Sequence, residues 1–125
     1  MNSNKIAVYG TLRVGMGNWG HFLRDTATLV QENDGVQGYS MHTHGYIPVI
    51  VATGNPNDVV RVDVFDDVSM IDGIDRMELG AGYDMAQVTT LGGHDVKVYT
   101  YSNSRNTRRI ESGDWKVFLA ERNQL

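Results

Sequence analysis

The sequence predicts an α+β fold: a small mixed, mainly antiparallel β-barrel or curved sheet with flanking short helices. Three observations carry this expectation. Short β-branched and aromatic runs succeed one another with no long helix between them, which argues against alternating βαβ units and a parallel sheet. Only the stretch from Asp67 to Leu79 changes to a clear helical period, with Met70, Ile71, Ile74 and Met77 at three- and four-residue intervals. Leu91-Gly92-Gly93-His94 separates two strand-like runs, and glycine accepts the positive φ that tight hairpin turns require.

The elements follow in order. Ile6-Ala7-Val8-Tyr9 reads as a strand that leaves its sheet at Gly10. Asn18 to Leu23 can form a short helix, and Thr26 to Gln31 a second extended run. Asn33-Asp34-Gly35 has the composition of a turn, so the next strand is expected over Val36 to His42. Ile47 to Ala52 and Val59 to Phe65 are two further strands, joined through Gly54-Asn55-Pro56-Asn57-Asp58. Asp67 or Ser69 can cap the helix that follows, and Gly80 can end it. Met85 to Thr90 and Asp95 to Tyr101 form the expected hairpin. Ser112-Gly113-Asp114 then caps a short amphipathic helix carrying Trp115, Phe118 and Leu119.

A chain of 125 residues, 41% hydrophobic and with 14 glycines, has the apolar content of one globular domain, expected to span residues 1–125. Eleven basic against 15 acidic residues leave a net charge of −4, which speaks against a general electrostatic grip on nucleic acid. The absence of cysteine excludes disulfides, thiolate-held metals and thiol nucleophiles. No apolar run approaches the roughly 20 residues of a membrane span, and Met1 to Lys5 lacks a signal-peptide core, so a cytoplasmic location and no membrane partner are expected.

Several patterns suggest chemistry and do not carry it. Gly15-Met16-Gly17-Asn18-Trp19-Gly20 matches a dinucleotide fingerprint, but no βαβ unit follows, and the next acids, Glu32 and Asp34, come too early to hold a ribose. A glycine-rich loop is the better reading. His42 and His44 share a strand face and could both reach a metal, yet neither they nor His21 and His94 make a ligand set with convincing spacing. Asp63, Asp66, Asp67, Asp72 and Asp75 do not follow a calcium-loop pattern, and a solvated helix face explains most of them. Arg105, Arg108 and Arg109 could hold a phosphate or an acidic partner, but a solvated loop over Ser102 to Arg109 explains them more simply.

Two features stand apart. Glu78 lies four residues after Ile74 and seven after Ile71, on the apolar face of the expected helix. A carboxylate turned towards a core loses hydration, and its pKa rises towards the range where it can accept and donate a proton. The alternative is that the helix ends by Met77 and Glu78 points into water; periodicity leaves both open. The second feature is Tyr9-Gly10-Thr11-Leu12-Arg13. A strand that leaves its sheet through glycine can aim successive N–H groups at one point, suiting a carboxylate or a developing oxyanion, although an ordinary strand end has the same sequence.

At these residues the chain resembles the gamma-glutamylcyclotransferase-like family, which includes gamma-glutamylamine cyclotransferases and plant avirulence-induced-gene (AIG2-like) proteins. Tyr9-Gly10-Thr11-Leu12-Arg13 with Gly15 and Asn18 is similar to its N-terminal signature, and Gly45-Tyr46-Ile47-Pro48 to its central turn. Val62-Asp63-Val64-Phe65 resembles the next strand, and Ile74-Asp75-Arg76-Met77-Glu78 with Tyr83 resembles the acidic segment. Val98-Tyr99-Thr100-Tyr101 and Ser112-Gly113-Asp114-Trp115 resemble the closing motifs, so the similarity runs from about Ile6 to Trp115. The chain departs from the pattern at Val62, at Leu79 before Gly80, and at Met85, where the family usually has arginine.

The resemblance implies a substrate-binding loop of Tyr9, Gly10, Thr11 and Leu12, with Glu78 as the acid/base. It also implies release of 5-oxoproline from a gamma-glutamyl amine or amino acid, with no cofactor and no metal. The small gamma-glutamyl substrate is then the expected partner, and nucleic acid is not. The readings from other classes are an inactive member of the fold that binds a small acidic ligand or a protein, and a nucleic-acid accessory module using the three arginines.

Overall fold

The computed structural model describes residues 5–17, 19–24, 27–44, 47–66, 68, 71–80, 82–101 and 107–123. Its strands are β1 (Ile6–Val8), β2 (Thr28–Gln37), β3 (Tyr39–His44), β4 (Ile47–Ala52), β5 (Val59–Asp66), β6 (Asp84–Thr89), β7 (Asp95–Thr100) and β8 (Arg108–Ile110). The helices are α1 (Trp19–Phe22), α2 (Ile71–Gly80) and α3 (Trp115–Asn123). A five-stranded sheet has the order β2-β5-β1-β7-β6, and a three-stranded sheet the order β4-β3-β8. The mixed, antiparallel-rich α+β architecture is thus the expected one. The strands form two open sheets among the described residues, so the curved-sheet alternative applies and the closed barrel does not.

β1 is the central strand. It runs antiparallel to β5, with Ile6 opposite Phe65 and Val8 opposite Asp63, and parallel to β7 through Ile6 and Lys97. A strand hydrogen-bonded on both edges and covered on both faces must be apolar at every position, and Ile6, Ala7 and Val8 are all buried. Val62, Val64, Val96 and Val98 from the larger sheet meet Met41, Val49 and Ile50 from the smaller one in a single core. The Tyr101 amide donates to the Ile50 carbonyl at 2.8 Å and stitches the two sheets together.

Three local expectations need correction. Asn33-Asp34-Gly35 is not a turn: β2 runs through it, and the register against β5 slips between Gln31 and Asp34. Asn33 takes a φ of 58°, so the positive-φ chemistry of Asn serves a β-bulge, and the chain passes from the larger sheet to the smaller one at Gly38, whose φ is 84°. The polar segment after β7 is not all loop, because Arg108 to Ile110 form β8 on the edge of β3. Finally, Gly80 is the last residue of α2, as expected, but the left-handed position that closes the helix belongs to Gly82, whose φ is 95°. The expected caps Asp67 and Ser69, and Met70, lie outside the described residues.

Asp114 behaves as expected: its Oδ1 accepts the Lys116 and Val117 amides at 2.9 and 3.2 Å and caps α3. The preceding Gly113 has a φ of 64°, and a Cβ there would run into the Val59 carbonyl oxygen, while its own carbonyl accepts from the Arg61 amide at 2.8 Å. Gly113→Ala therefore combines a left-handed backbone penalty with a clash against β5. It should cost about 2 kcal/mol or more, lowering Tm by roughly 8 °C in a thermal melt. An unchanged Tm would contradict this packing.

Candidate active site

Glu78 stands in the last turn of α2, four residues after the fully buried Ile74, so the helix does extend beyond Met77 and Glu78 is half-buried. The helix closes with a Schellman turn: the Tyr83 amide donates to the Glu78 carbonyl at 3.1 Å and the Gly82 amide to the Leu79 carbonyl at 3.2 Å. This closure brings Tyr83 back beside Glu78. The tyrosine ring meets Tyr101 edge-to-face at 5.7 Å between centroids, and its hydroxyl donates to the Pro48 carbonyl.

Tyr9 closes the other side. Its ring is buried and its hydroxyl donates to the Tyr99 carbonyl at 2.8 Å. Both phenol protons are thus committed to backbone carbonyls, and both phenols lie close enough to Glu78 to feel its charge. Burial raises its pKa from 4.5 to about 7. Its place at the helix C-terminus acts in the same direction, since the negative end of the helix dipole disfavours a second negative charge. Tyr9 and Tyr83 are both pushed above the usual phenol range, first by burial and then by neighbouring groups that include Glu78.

The loop after Tyr9 begins with a tight turn in which the Arg13 amide donates to the Gly10 carbonyl at 3.1 Å. Only glycine fits its first position, because a Cβ on Gly10 would lie 2.6 Å from Cγ of Pro48. Gly10 and Leu12 are buried and Thr11 is exposed. Pro48 therefore touches the turn through its ring and receives Tyr83 through its carbonyl, so the turn and Tyr83 converge on it.

The far end of the glycine turn carries a buried charge cluster that the sequence did not reveal. Arg13 is only 2% exposed and reaches two carboxylates, with Nη1 2.9 Å from Oδ1 of Asp114 and Nη2 3.3 Å from Oδ1 of Asp63. Asp63 also accepts the Val14 and Asn33 amides, each at 2.9 Å. It is fully buried in the middle of β5 rather than on a solvated face. A charged residue in an otherwise apolar strand, Val59 to Phe65, was the available signal.

The other candidates lie apart or are occupied. His42 shares a 2.8 Å hydrogen bond with Ser40, and burial followed by the nearby Arg109 charge lowers its pKa. His94 contacts the Gln31 amide oxygen at 2.9 Å. The side chains of His21, His44, Asp72 and Asp75 lie outside the described residues, as do Asp67, Gly45, Tyr46 and Arg105. Among the described residues no three histidine or acidic side chains gather where they could hold a metal. Arg108, Arg109 and Arg122 line a groove of about 820 Å³ between β8 and α3, where Glu111 and Glu121 offset their charge. Arg109 itself is engaged by Asp58 at 2.6 Å. No helix among the described residues is long and apolar enough to cross a membrane.

The fold is shared with solved structures of small proteins. A crystal structure from Pyrococcus horikoshii superposes with a TM-score of 0.79 and 28% identity, covering 98% of both chains. That of an AIG2-like protein from mouse superposes with a TM-score of 0.65, covering 80% of this chain and 78% of the other; at 22% identity it speaks to the fold alone. In sequence, the Pyrococcus protein is 31% identical over 114 residues, 90% of this chain and 91% of its own length, and is provisionally named a gamma-glutamylcyclotransferase. The family pattern described as "Gamma-glutamyl cyclotransferase, AIG2-like" matches residues 6–117. The chain belongs to this family.

The raised pKa of Glu78 has a consequence for stability. Between pH 4.5 and about 7 the folded protein holds a proton that the unfolded chain has released, so this group's contribution falls as pH rises through that window. Glu78→Gln removes the penalty. Relative to wild type, the variant should gain of order 1–2 kcal/mol on going from pH 5 to pH 8, after allowance for the partial exposure of the group. Urea titrations of both proteins at the two pH values read this directly; equal pH dependence would show that Glu78 is solvated.

Proposed function

We propose that the protein is a cyclotransferase releasing 5-oxoproline from a gamma-glutamyl amine or gamma-glutamyl amino acid, with Glu78 as acid/base. The observation that carries this reading is the placement of Glu78. It is one partly desolvated carboxylate poised near pH 7 in the field of two fixed phenols, and one of these, Tyr83, bonds to the proline on which Gly10 packs. Family membership supports the reaction class.

The chemistry asks little of the protein. The substrate carries its own nucleophile, and closing a five-membered ring is favourable because the α-amine is already tethered to the γ-carbonyl. Glu78 as carboxylate takes a proton from the α-ammonium, and the freed amine attacks the γ-carbon. The tetrahedral oxyanion faces the backbone donors of Gly10 to Leu12, with Tyr9 and Thr11 completing the cradle for the glutamyl part. Protonated Glu78 then gives its proton to the leaving nitrogen as the C–N bond breaks. The regenerated Glu78 carboxylate takes the second proton from the ring nitrogen and passes it to the departed amine, leaving 5-oxoproline and an ammonium product. Every proton is accounted for by one carboxylate working as base and then acid, without a cofactor.

A group that accepts and returns a proton works best when its pKa lies near the operating pH, and a value of about 7 satisfies this. kcat/KM should therefore rise with pH through about 7 as Glu78 ionises in the free enzyme. Glu78→Gln keeps size and hydrogen bonding but carries no proton. It should lower turnover by roughly two to four orders of magnitude while the native fold is kept and ligand affinity changes little. Release of 5-oxoproline from a panel of gamma-glutamyl amines and amino acids measures this, and near wild-type turnover by the folded glutamine variant would remove Glu78 from the mechanism. Gly10→Val cannot follow the turn against Pro48 and should abolish measurable binding of 5-oxoproline in calorimetry. Retained affinity would count against the loop as the glutamyl site.

A further inference from the structure

We propose that Arg13 is a positioning residue of this site: clamped between Asp63 and Asp114, its guanidinium fixes the Gly10–Arg13 turn and ties it to the start of α3. The inference rests on the reading of that turn as the holder of the glutamyl part.

The turn is pinned at both ends by different forces. Its first residue is held sterically, because Gly10 packs against Pro48 with no room for a side chain. Its last is held electrostatically. Arg13 reaches Asp63 through Nη2 and Asp114 through Nη1, partners 50 and 101 residues away in sequence. The next amide, that of Val14, donates to the second oxygen of Asp63 at 2.9 Å, so side chain and main chain of consecutive residues grip one carboxylate of β5. The Asp114 oxygen that receives Arg13 is the same Oδ1 that caps α3 through the Lys116 and Val117 amides. Turn, central sheet and C-terminal helix are therefore joined at one buried guanidinium.

Stability alone does not explain such an arrangement. Burying a cation with two carboxylates incurs a desolvation penalty that often offsets the attraction, and an apolar residue of similar volume serves a core as well. What the network supplies is geometry, since a planar guanidinium bridging two fixed carboxylates has few alternative positions. Arg13 uses both terminal nitrogens in this clamp, so it acts through the turn and not on the reacting atoms.

Three variants of the full chain test the assignment. Arg13→Met removes the clamp, and Arg13→Lys keeps the charge without the bidentate fork. Asp114→Asn keeps the helix cap, at which asparagine serves as well as aspartate, but removes the charge facing Arg13. Arg13→Met should raise KM for the gamma-glutamyl substrate by roughly 10- to 100-fold, as expected for a binding loop displaced by about an ångström. Lysine and the Asp114→Asn variant should fall between it and wild type. The pH dependence near 7 should stay in place in all three, because Glu78 is untouched. In hydrogen exchange, the amides of residues 10–14 should lose protection while those of α2 keep theirs.

An unchanged KM together with unchanged loop exchange in a folded variant would overturn the proposal. So would a loss confined to kcat with a displaced pH profile, which would place Arg13 in the proton chemistry. Should Arg13→Met fail to fold, Asp114→Asn decides alone. If the wild type releases 5-oxoproline from no gamma-glutamyl compound, the functional reading fails, and the exchange measurement still decides whether Arg13 positions the turn.

Discussion

The Asp63 carboxylate is the constraint around which the rest of the structure is arranged. It lies at zero exposure in the middle of β5, opposite the end of the central strand β1, and accepts from Arg13, the Val14 amide and the Asn33 amide. A buried carboxylate without such donors would be costly, so the chain around it must bring them in. The β-bulge of β2 delivers Asn33, and the loop after β1 delivers Arg13 and Val14. Through Arg13 the same charge balance extends to Asp114 and α3. One anion thus organises the sheet edge, the glycine turn and the C-terminal helix.

Glu78 shows the opposite use of a carboxylate. Asp63 is buried and satisfied by its donors, whereas Glu78 is partly desolvated beside phenols whose protons go to the carbonyls of Tyr99 and Pro48. The first environment stabilises a fixed charge, and the second leaves a charge that is easily neutralised. This contrast separates a structural acid from a candidate catalytic one more sharply than burial does. The Schellman closure of α2 contributes to it, because Gly82 returns the chain so that Tyr83 lies next to Glu78.

Much of this was legible in the amino-acid sequence, for local reasons. Apolar runs and glycine turns mark the strands β4, β5, β6 and β7, and the 3.6-residue period marks Ile74 as inward, whereas the side of Glu78 was settled only by the continuation of α2 past Met77. The misplaced features share another origin. Asn33-Asp34-Gly35 has the same backbone preference in a turn as in a bulge, and only its pairing with β5 distinguishes them. β8 is a strand because β3 offers it an edge, not because Arg108-Arg109-Ile110 prefers extension. Asp63 reads as one more acid until Arg13, 50 residues away, is placed beside it. Local propensity carries no information about such distant partners.

The proton-transfer role of Glu78 requires a desolvated carboxyl group in the free protein. Carbon-13 NMR of the glutamate side-chain carboxyls, assigned with Glu78→Gln and titrated from pH 3 to 9, measures this directly. One resonance, absent from the variant, should titrate with a midpoint near 7. A Glu78 resonance that titrates near 4.5 would mean a solvated side chain and would contradict both the proton-transfer role and the site built around it.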